Sequence, residues 1–109
     1  MTAPSDLQAQ LSRLEEARRQ TRRQLHQIDR QIIRRMTAVI PKLAPSRTAY
    51  RRGRPPDPAA FLDRYRSELA ALTAERQPEI DALSLELAQQ DQMIATLRDK
   101  QEGELRHAA

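Results

Sequence analysis

The stretch LHQIDRQIIRRMTAV, residues 25–39, decides the fold. Its apolar residues recur every three or four positions, at Leu25, Ile28, Ile32, Met36 and Val39. Residues three and four apart lie on the same side of an α-helix, so this spacing predicts one apolar helix face. The same spacing extends back to residue 7, and prolines follow at 41 and 45. We therefore predict a first helix over residues 6 to 40, which ends at the prolines because proline has no N–H to donate.

A second helix is predicted over residues 58 to 106. Asp57 precedes Pro58, and this pair is typical of an N-cap followed by the first helical position, where the missing N–H of proline costs nothing. An apolar stripe then continues from Leu62 to Leu105. Pro78 interrupts it, and an internal proline costs a helix about 3 kcal/mol. We expect this helix to be kinked or broken near Arg76.

Together these segments predict an all-α fold, an antiparallel two-helix coiled-coil hairpin that forms one domain over residues 1–109. A basic, proline-rich loop, residues 41–56, joins the helices. Only three aromatic residues and no cysteines are present, which suits paired helices better than a thick globular core. If the chain folds back at the middle of the loop, facing residue numbers add to about 98. Met36 would then face Leu62, and Leu11 would face Leu87.

This register has three consequences. The apolar residues would be densest beside the loop, where Ile33, Ile40 and Leu62 contribute. Arg18 and Thr21 would fall opposite Gln77, Pro78 and Ile80, in a polar layer. The second helix would outrun the first by about 20 Å, because each helical residue adds about 1.5 Å. The residues left without a partner would form a protein interface, either a homodimer contact or a docking surface: Ile94, Leu97 and Leu105.

The sequence gives no indication of catalysis. His26 and His107 are far apart, no cysteine is present, and no Gly-rich phosphate loop occurs. We expect no catalytic residue, metal, cofactor or small-molecule substrate. No apolar run approaches the length that spans a membrane, and the first residues do not form a signal peptide. We therefore predict a cytoplasmic, non-enzymatic protein that does not interact with membranes.

Charge is distributed unevenly along the chain. Thirteen basic and three acidic residues lie between Arg13 and Arg54, whereas six basic and eleven acidic residues lie between Asp57 and Arg106. Opposite charges on the two segments favour an antiparallel pair. The basic segment ends in a short turn with the sequence RRGRPP, residues 51–56. Its two prolines bias the backbone toward an extended conformation.

Within this turn, Arg52-Gly53-Arg54-Pro55 resembles the core of an AT-hook, a short motif that enters the minor groove of A·T-rich DNA. The resemblance covers about six residues, and Arg51 stands where the motif has a proline. It implies that Arg52 and Arg54 insert into the groove and that Gly53 permits a close approach. It also implies phosphate contacts by three further basic residues: Lys42, Arg47 and Arg51.

A second basic surface is predicted along the first helix. In the heptad frame of the leucines, five arginines lie on the face that points away from the second helix and its carboxylates: Arg13, Arg19, Arg23, Arg30 and Arg34. Unpaired arginines next to a basic loop are typical of a surface that contacts phosphates. The scarcity of aromatic residues argues against single-stranded nucleic acid, which binds by base stacking, and so favours duplex DNA.

Two functions of different classes fit the sequence. One is a DNA-binding accessory or architectural protein, acting as a homodimer. The other is a coiled-coil adaptor or regulator of another protein, similar in architecture only to export-apparatus stalk proteins, or an inhibitor encoded by a mobile element. In the second case the basic loop would contact an acidic protein surface.

Overall fold

The computed structural model describes residues 4–43 and 57–108. Almost all of these residues belong to two helices, α1 over Pro4–Leu43 and α2 over Pro58–Ala108. No β-strand occurs in the two described ranges. The predicted all-α helical hairpin is thereby confirmed. The predicted loop lies largely outside the described residues, and only its first three positions fall within them.

The start of α2 is as predicted. Asp57 Oδ1 accepts a hydrogen bond of 3.0 Å from the Ala59 N–H. The Asp57 carbonyl accepts the next helical bond from the Phe61 N–H at 3.3 Å. The side chain therefore satisfies one of the N–H groups that every helix start leaves without an intrahelical acceptor. Pro58 stands at the first helical position, where no N–H is needed.

The predicted end of α1 was wrong, because the helix continues through Pro41 to Leu43. Pro41 removes only the hydrogen bond that the Thr37 carbonyl would have accepted, and both residues are exposed, so water can reach that carbonyl. The last turn gains a different partner, since Arg64 Nη2 donates to the Leu43 carbonyl oxygen at 3.1 Å. Lys42 belongs to this turn and not to the loop. Its charge is favourable at the negative end of the helix dipole.

Of the two alternatives predicted near Pro78, a kink or a break, the break does not occur, because the helix is continuous through Pro78. Pro78 is exposed, as is Ala74, whose carbonyl loses its donor. A proline on the solvent side leaves that carbonyl to water, so the local cost does not extend to the packed face.

The chain divides into two compact units. The first unit combines residues 1–26 with residues 79–109. Its buried apolar side chains are Leu7, Leu11 and Ile94, and Ile94 is only 1% exposed. Two polar residues, Thr21 and Gln90, are buried as well. The Thr21 hydroxyl donates to the Ala17 carbonyl at 3.0 Å.

The second unit comprises residues 27–78. Its buried apolar side chains are Ile28, Ile32, Met36 and Leu72. Phe61 and Tyr65 stack with their ring centroids 6.4 Å apart. The sequence predicted that more residues would be buried beside the loop than the structure shows. Ile33 is 57% exposed, Leu62 46% and Ile40 40%. A helix can bury only one stripe against a single neighbour, and Ile33 and Ile40 lie beside that stripe.

The predicted register was wrong by about three helical turns. In the first unit, paired residue numbers add to 109 for Gln8 with Gln101 and for Arg18 with Asp91. In the second unit, they add to 110 for Arg35 with Glu75 and to 107 for Gln31 with Arg76. The predicted total of about 98 assumed a fold centred on the loop. The observed register instead brings the apolar stripe near the end of α2 against the start of α1, and burying that stripe is favourable.

Candidate nucleic-acid interface

The residues that carry the AT-hook resemblance cannot be placed by the structure. Arg52, Gly53 and Arg54 lie outside the described residues, as do Arg47 and Arg51. Lys42 is described, and it lies exposed in the last turn of α1. The interface can therefore be built only from the arginines of α1, taken one unit at a time.

In the second unit, Arg30 and Arg34 point away from the packed face. They stand two residues before and two residues after the buried Ile32, which places both about 160° from it around the helix. Both are exposed, and neither has a side-chain hydrogen bond or ion pair within the described residues. Arg35 differs, because its Nη1 donates to Glu75 Oε2 at 2.7 Å. This unit therefore presents two charges without a neutralising carboxylate, as predicted.

In the first unit, Arg13 and Arg22 are likewise exposed and make no ion pair with any described residue. Arg13 was predicted to belong to the interface, whereas Arg22 was missed. The sequence carried a signal for Arg22, because no carboxylate stands three or four positions from it on either side. Such positions are the ones that pair on a helix surface, so a search for arginines without them finds Arg22.

Arg19 and Arg23 were also predicted to belong to the outward arginine surface, and both face Glu16, which the sequence places within reach of Arg19. Arg19 donates from Nε at 2.8 Å and from Nη2 at 2.6 Å to Glu16 Oε2. Arg23 Nη1 lies 4.0 Å from Glu16 Oε1. The hydrogen bond from Arg19, followed by the charge of Arg19, lowers the pKa of the Glu16 carboxyl. Glu16 thus interrupts the predicted arginine surface in this unit.

One arginine of α1 lies between the helices. Arg18 is half-buried, and its Nη1 donates to Asp91 Oδ1 at 3.1 Å. The predicted neighbours of Arg18 and Thr21 were Gln77, Pro78 and Ile80, so the observed register brings a carboxylate to this arginine that was not predicted. Next to this pair, the buried Nε of Arg18 and the buried Oε1 of Gln90 have no hydrogen-bond partner within the described residues.

The predicted protein interface is not a set of unpaired apolar residues. Ile94 is the most completely buried large side chain among the described residues, and Leu97 is half-buried. Only Leu105, at 69% exposed, remains on the surface. The helix overhang that would have exposed all three depended on the wrong register. Ile94 is therefore not available for a homodimer contact through this segment.

Within residues 4–43 and 57–108, no three His, Asp or Glu side chains are grouped so that they could hold a metal ion. Neither described helix contains a segment apolar enough to cross a membrane. Comparison with protein-family models, curated proteins and solved structures finds nothing that matches this chain.

Proposed function

We propose that this chain is a non-enzymatic protein that binds duplex DNA, in an accessory or architectural role. The observation that supports this most directly is that four exposed arginines of α1 make no ion pair with a described residue: Arg13, Arg22, Arg30 and Arg34. Carboxylates three or four positions away can pair with arginines on a helix surface, and none stands at those positions from Arg22, Arg30 or Arg34. Unneutralised arginines are what a surface needs in order to displace counterions from phosphates.

The basic loop supports the same proposal from the sequence. Arg52 and Arg54 would enter an A·T-rich minor groove, where the negative potential is strongest. Lys42, exposed in the last turn of α1, would contact phosphate beside the loop. We place this activity in the cytoplasm, because a chain without cysteine is compatible with a reducing compartment.

Fluorescence anisotropy with labelled A·T-rich and G·C-rich duplexes tests the proposal. Binding should weaken steeply with salt, since each phosphate contact contributes about −0.9 to the slope of log K against log salt. Replacing Arg52 and Arg54 together by Gln should flatten this slope by about 1.8 and reduce any preference for A·T-rich duplex. A matched control is Lys100→Gln with Arg106→Gln, which changes the net charge equally on exposed positions of α2.

The possible outcomes distinguish a failure of the loop contact from a failure of the DNA-binding proposal itself. If the control variant lowers affinity and slope as much as the loop variant, net charge alone explains binding, and the loop contact is wrong. If neither duplex is bound even at low salt, the DNA proposal fails.

A second candidate, the coiled-coil adaptor, is favoured by a different observation in the second unit. Ile33, Ile40 and Leu62 are exposed there. A shallow, open depression on α2 lies in the same unit, and three of its six lining residues have small side chains: Arg66, Leu69, Ala70, Thr73, Ala74 and Gln77. Exposed apolar residues are typical of a contact with another protein. Absence of duplex binding would favour this candidate.

A further inference from the structure

Glu16 is held by three neighbours on the surface of α1. Both donors of the Arg19 fork converge on Oε2, at 2.8 and 2.6 Å. The other oxygen, Oε1, accepts from Gln20 Nε2 at 3.4 Å and lies 4.0 Å from Arg23 Nη1. All of these residues belong to one unit and one helix. The group is therefore an anion site that the chain fills with its own carboxylate.

The same donors suit a phosphate. A guanidinium fork binds the oxygens of a carboxylate or a phosphate in the same planar geometry. The Glu16 and Arg19 side chains are 50% and 55% exposed, so a nucleic-acid backbone can reach the arginine from solvent. Exposed ion pairs of this kind are weak, which means that a polyanion able to release counterions can displace the carboxylate.

We infer that Glu16 occupies the position of a DNA phosphate on Arg19 and Arg23, and acts as an internal competitor that lowers the affinity for duplex. This inference rests on the proposed function. Glu16 is suited to the role because the other three carboxylates of α1 do not contact these arginines. Glu15 accepts from Arg98 of α2 at 3.1 Å, and Asp6 and Asp29 have no ion pair within the described residues. The Glu16 carboxylate is charged at neutral pH, and its lowered pKa has the Arg19 hydrogen bond as its main cause.

The test compares Glu16→Gln with Asp6→Asn in anisotropy titrations of a labelled duplex at about 50 and 200 mM salt. Both variants remove one negative charge from α1. Asp6 lies ten residues from Glu16, about 15 Å along the helix, which exceeds the screening length of about 14 Å at 50 mM salt and about 7 Å at 200 mM. We expect Glu16→Gln to bind about fivefold more tightly than the unmodified chain, and Asp6→Asn to stay within about twofold. The salt slope of Glu16→Gln should steepen by about 0.9 to 1.8, since one or two arginines become free to contact phosphate.

A double variant shows whether the gain depends on the arginine. Glu16→Gln combined with Arg19→Gln should lose most of the gain, because the released donor is no longer present. Equal affinities of Glu16→Gln and Asp6→Asn would overturn the inference, and so would a gain that survives the Arg19 replacement. If the unmodified chain binds duplex and Glu16→Gln binds it no more tightly, Glu16 is not a competitor, and the proposed function still stands. Failure of both proteins to bind at low salt rejects the two together.

Discussion

Glu16 pairs with Arg19 and Arg23, two arginines that were predicted to form a basic surface, and so reduces the positive charge of that surface. The hydrogen bond from Arg19 is the main cause of its lowered pKa, and the charges of Arg19 and Arg23 add to it. A depressed carboxyl pKa contributes stability that is present above the unfolded value of the group. That contribution is lost as the pH falls through the lower, folded value. The Arg19 bond to Glu16 should therefore open only in acid, below the usual range of a glutamate.

We predict that Arg19→Gln raises the pKa of Glu16 back toward its ordinary value, because it removes both the forked hydrogen bond and the nearest positive charge. A carbon-detected NMR titration of the side-chain carboxyls measures this directly. Arg22→Gln is the control, since it removes the same charge from α1 and makes no hydrogen bond to Glu16 within the described residues. An unchanged Glu16 pKa in Arg19→Gln would contradict the assignment of its cause.

The predictability of individual residues depended on where their partners lie along the chain. The pairing of Glu16 with Arg19 follows from a spacing of three residues, which places them side by side on any helix. The pairing of Arg18 with Asp91 spans 73 residues, and no local spacing predicts it. Arg30 and Arg34 point outward as the heptad frame predicts, and no carboxylate stands three or four positions from either of them. Arg19 and Arg23 point outward too, but Glu16 is close enough to pair with them.

At the scale of the helices, starts and ends were predictable where neighbouring atoms decide them. Asp57 followed by Pro58 correctly marked the start of α2, since the cap depends on one side chain and one N–H. The predicted helix end at Pro41 and the predicted alternative of a break at Pro78 failed for a common reason. Pro41 and Pro78 are exposed, so water can serve the carbonyl that each one leaves without a donor. The sequence shows where a proline stands in a helix. Whether that proline is exposed depends on which face of the helix packs against its neighbour.

The packed face of α1 changes phase in the second unit. Ile28, Ile32 and Met36 follow one another in steps of four, and all three are buried. Consecutive steps of four shift the packed stripe around a helix and locally unwind a pair. Arg76 of α2 lies near the level of Ile32, because its Nη1 donates to Gln31 Oε1 at 2.7 Å. This hydrogen bond therefore joins the two helices where the stripe of α1 shifts.

Register could not be predicted from the loop, because every apolar and polar pair along the helices contributes to it. Arg18 with Asp91 is one such contribution, since a slip by one heptad would separate these two charges. Gln90, buried beside them, adds specificity at a cost in stability. An unpartnered buried amide oxygen is unfavourable by about 1–3 kcal/mol, unless water reaches it.

Engineered cysteines test the register in the first unit, where the chain supplies no competing thiol. We predict that Gln8→Cys with Gln101→Cys is joined within one chain by a short bismaleimide linker, because these two side chains meet at 2.7 Å. Gln8→Cys with Gln90→Cys is the matched pair for the register that totals about 98. It should not be joined, since residue 90 lies about 16 Å farther along α2. Mass spectrometry of the products distinguishes the pairs, and linkage of the second pair alone would reject the observed register.

For the whole molecule, the division into two units sharpens the charge asymmetry of the sequence. Residues 27–78 contain eleven basic and five acidic residues, a net charge of +6. The remaining residues contain eight basic and ten acidic residues, a net charge of −2. Without the four loop arginines that lie outside the described residues, residues 27–78 still carry a net charge of +2, so the two units differ in the sign of their net charge. Carboxylates in the first unit compete for its arginines, as Glu16 does, whereas the second unit has five carboxylates against ten in the first.

This asymmetry predicts which arginines contribute most to DNA binding. Arg30→Gln with Arg34→Gln should weaken duplex binding by about tenfold near physiological salt, and Arg13→Gln with Arg22→Gln by about threefold. The two variants match in helix, in charge change and in exposure, and none of the four arginines has an ion pair with a described residue. Anisotropy titrations over a range of salt give the affinity of each variant and, from the salt slope, how many phosphates it still neutralises. Equal reductions in affinity would show that local net charge does not determine where DNA binds. A larger reduction for the Arg13 and Arg22 variant would indicate that the first unit forms the interface. The expected order follows because a phosphate approaching the second unit meets arginines in a positive field, whereas one approaching the first must also overcome its carboxylates.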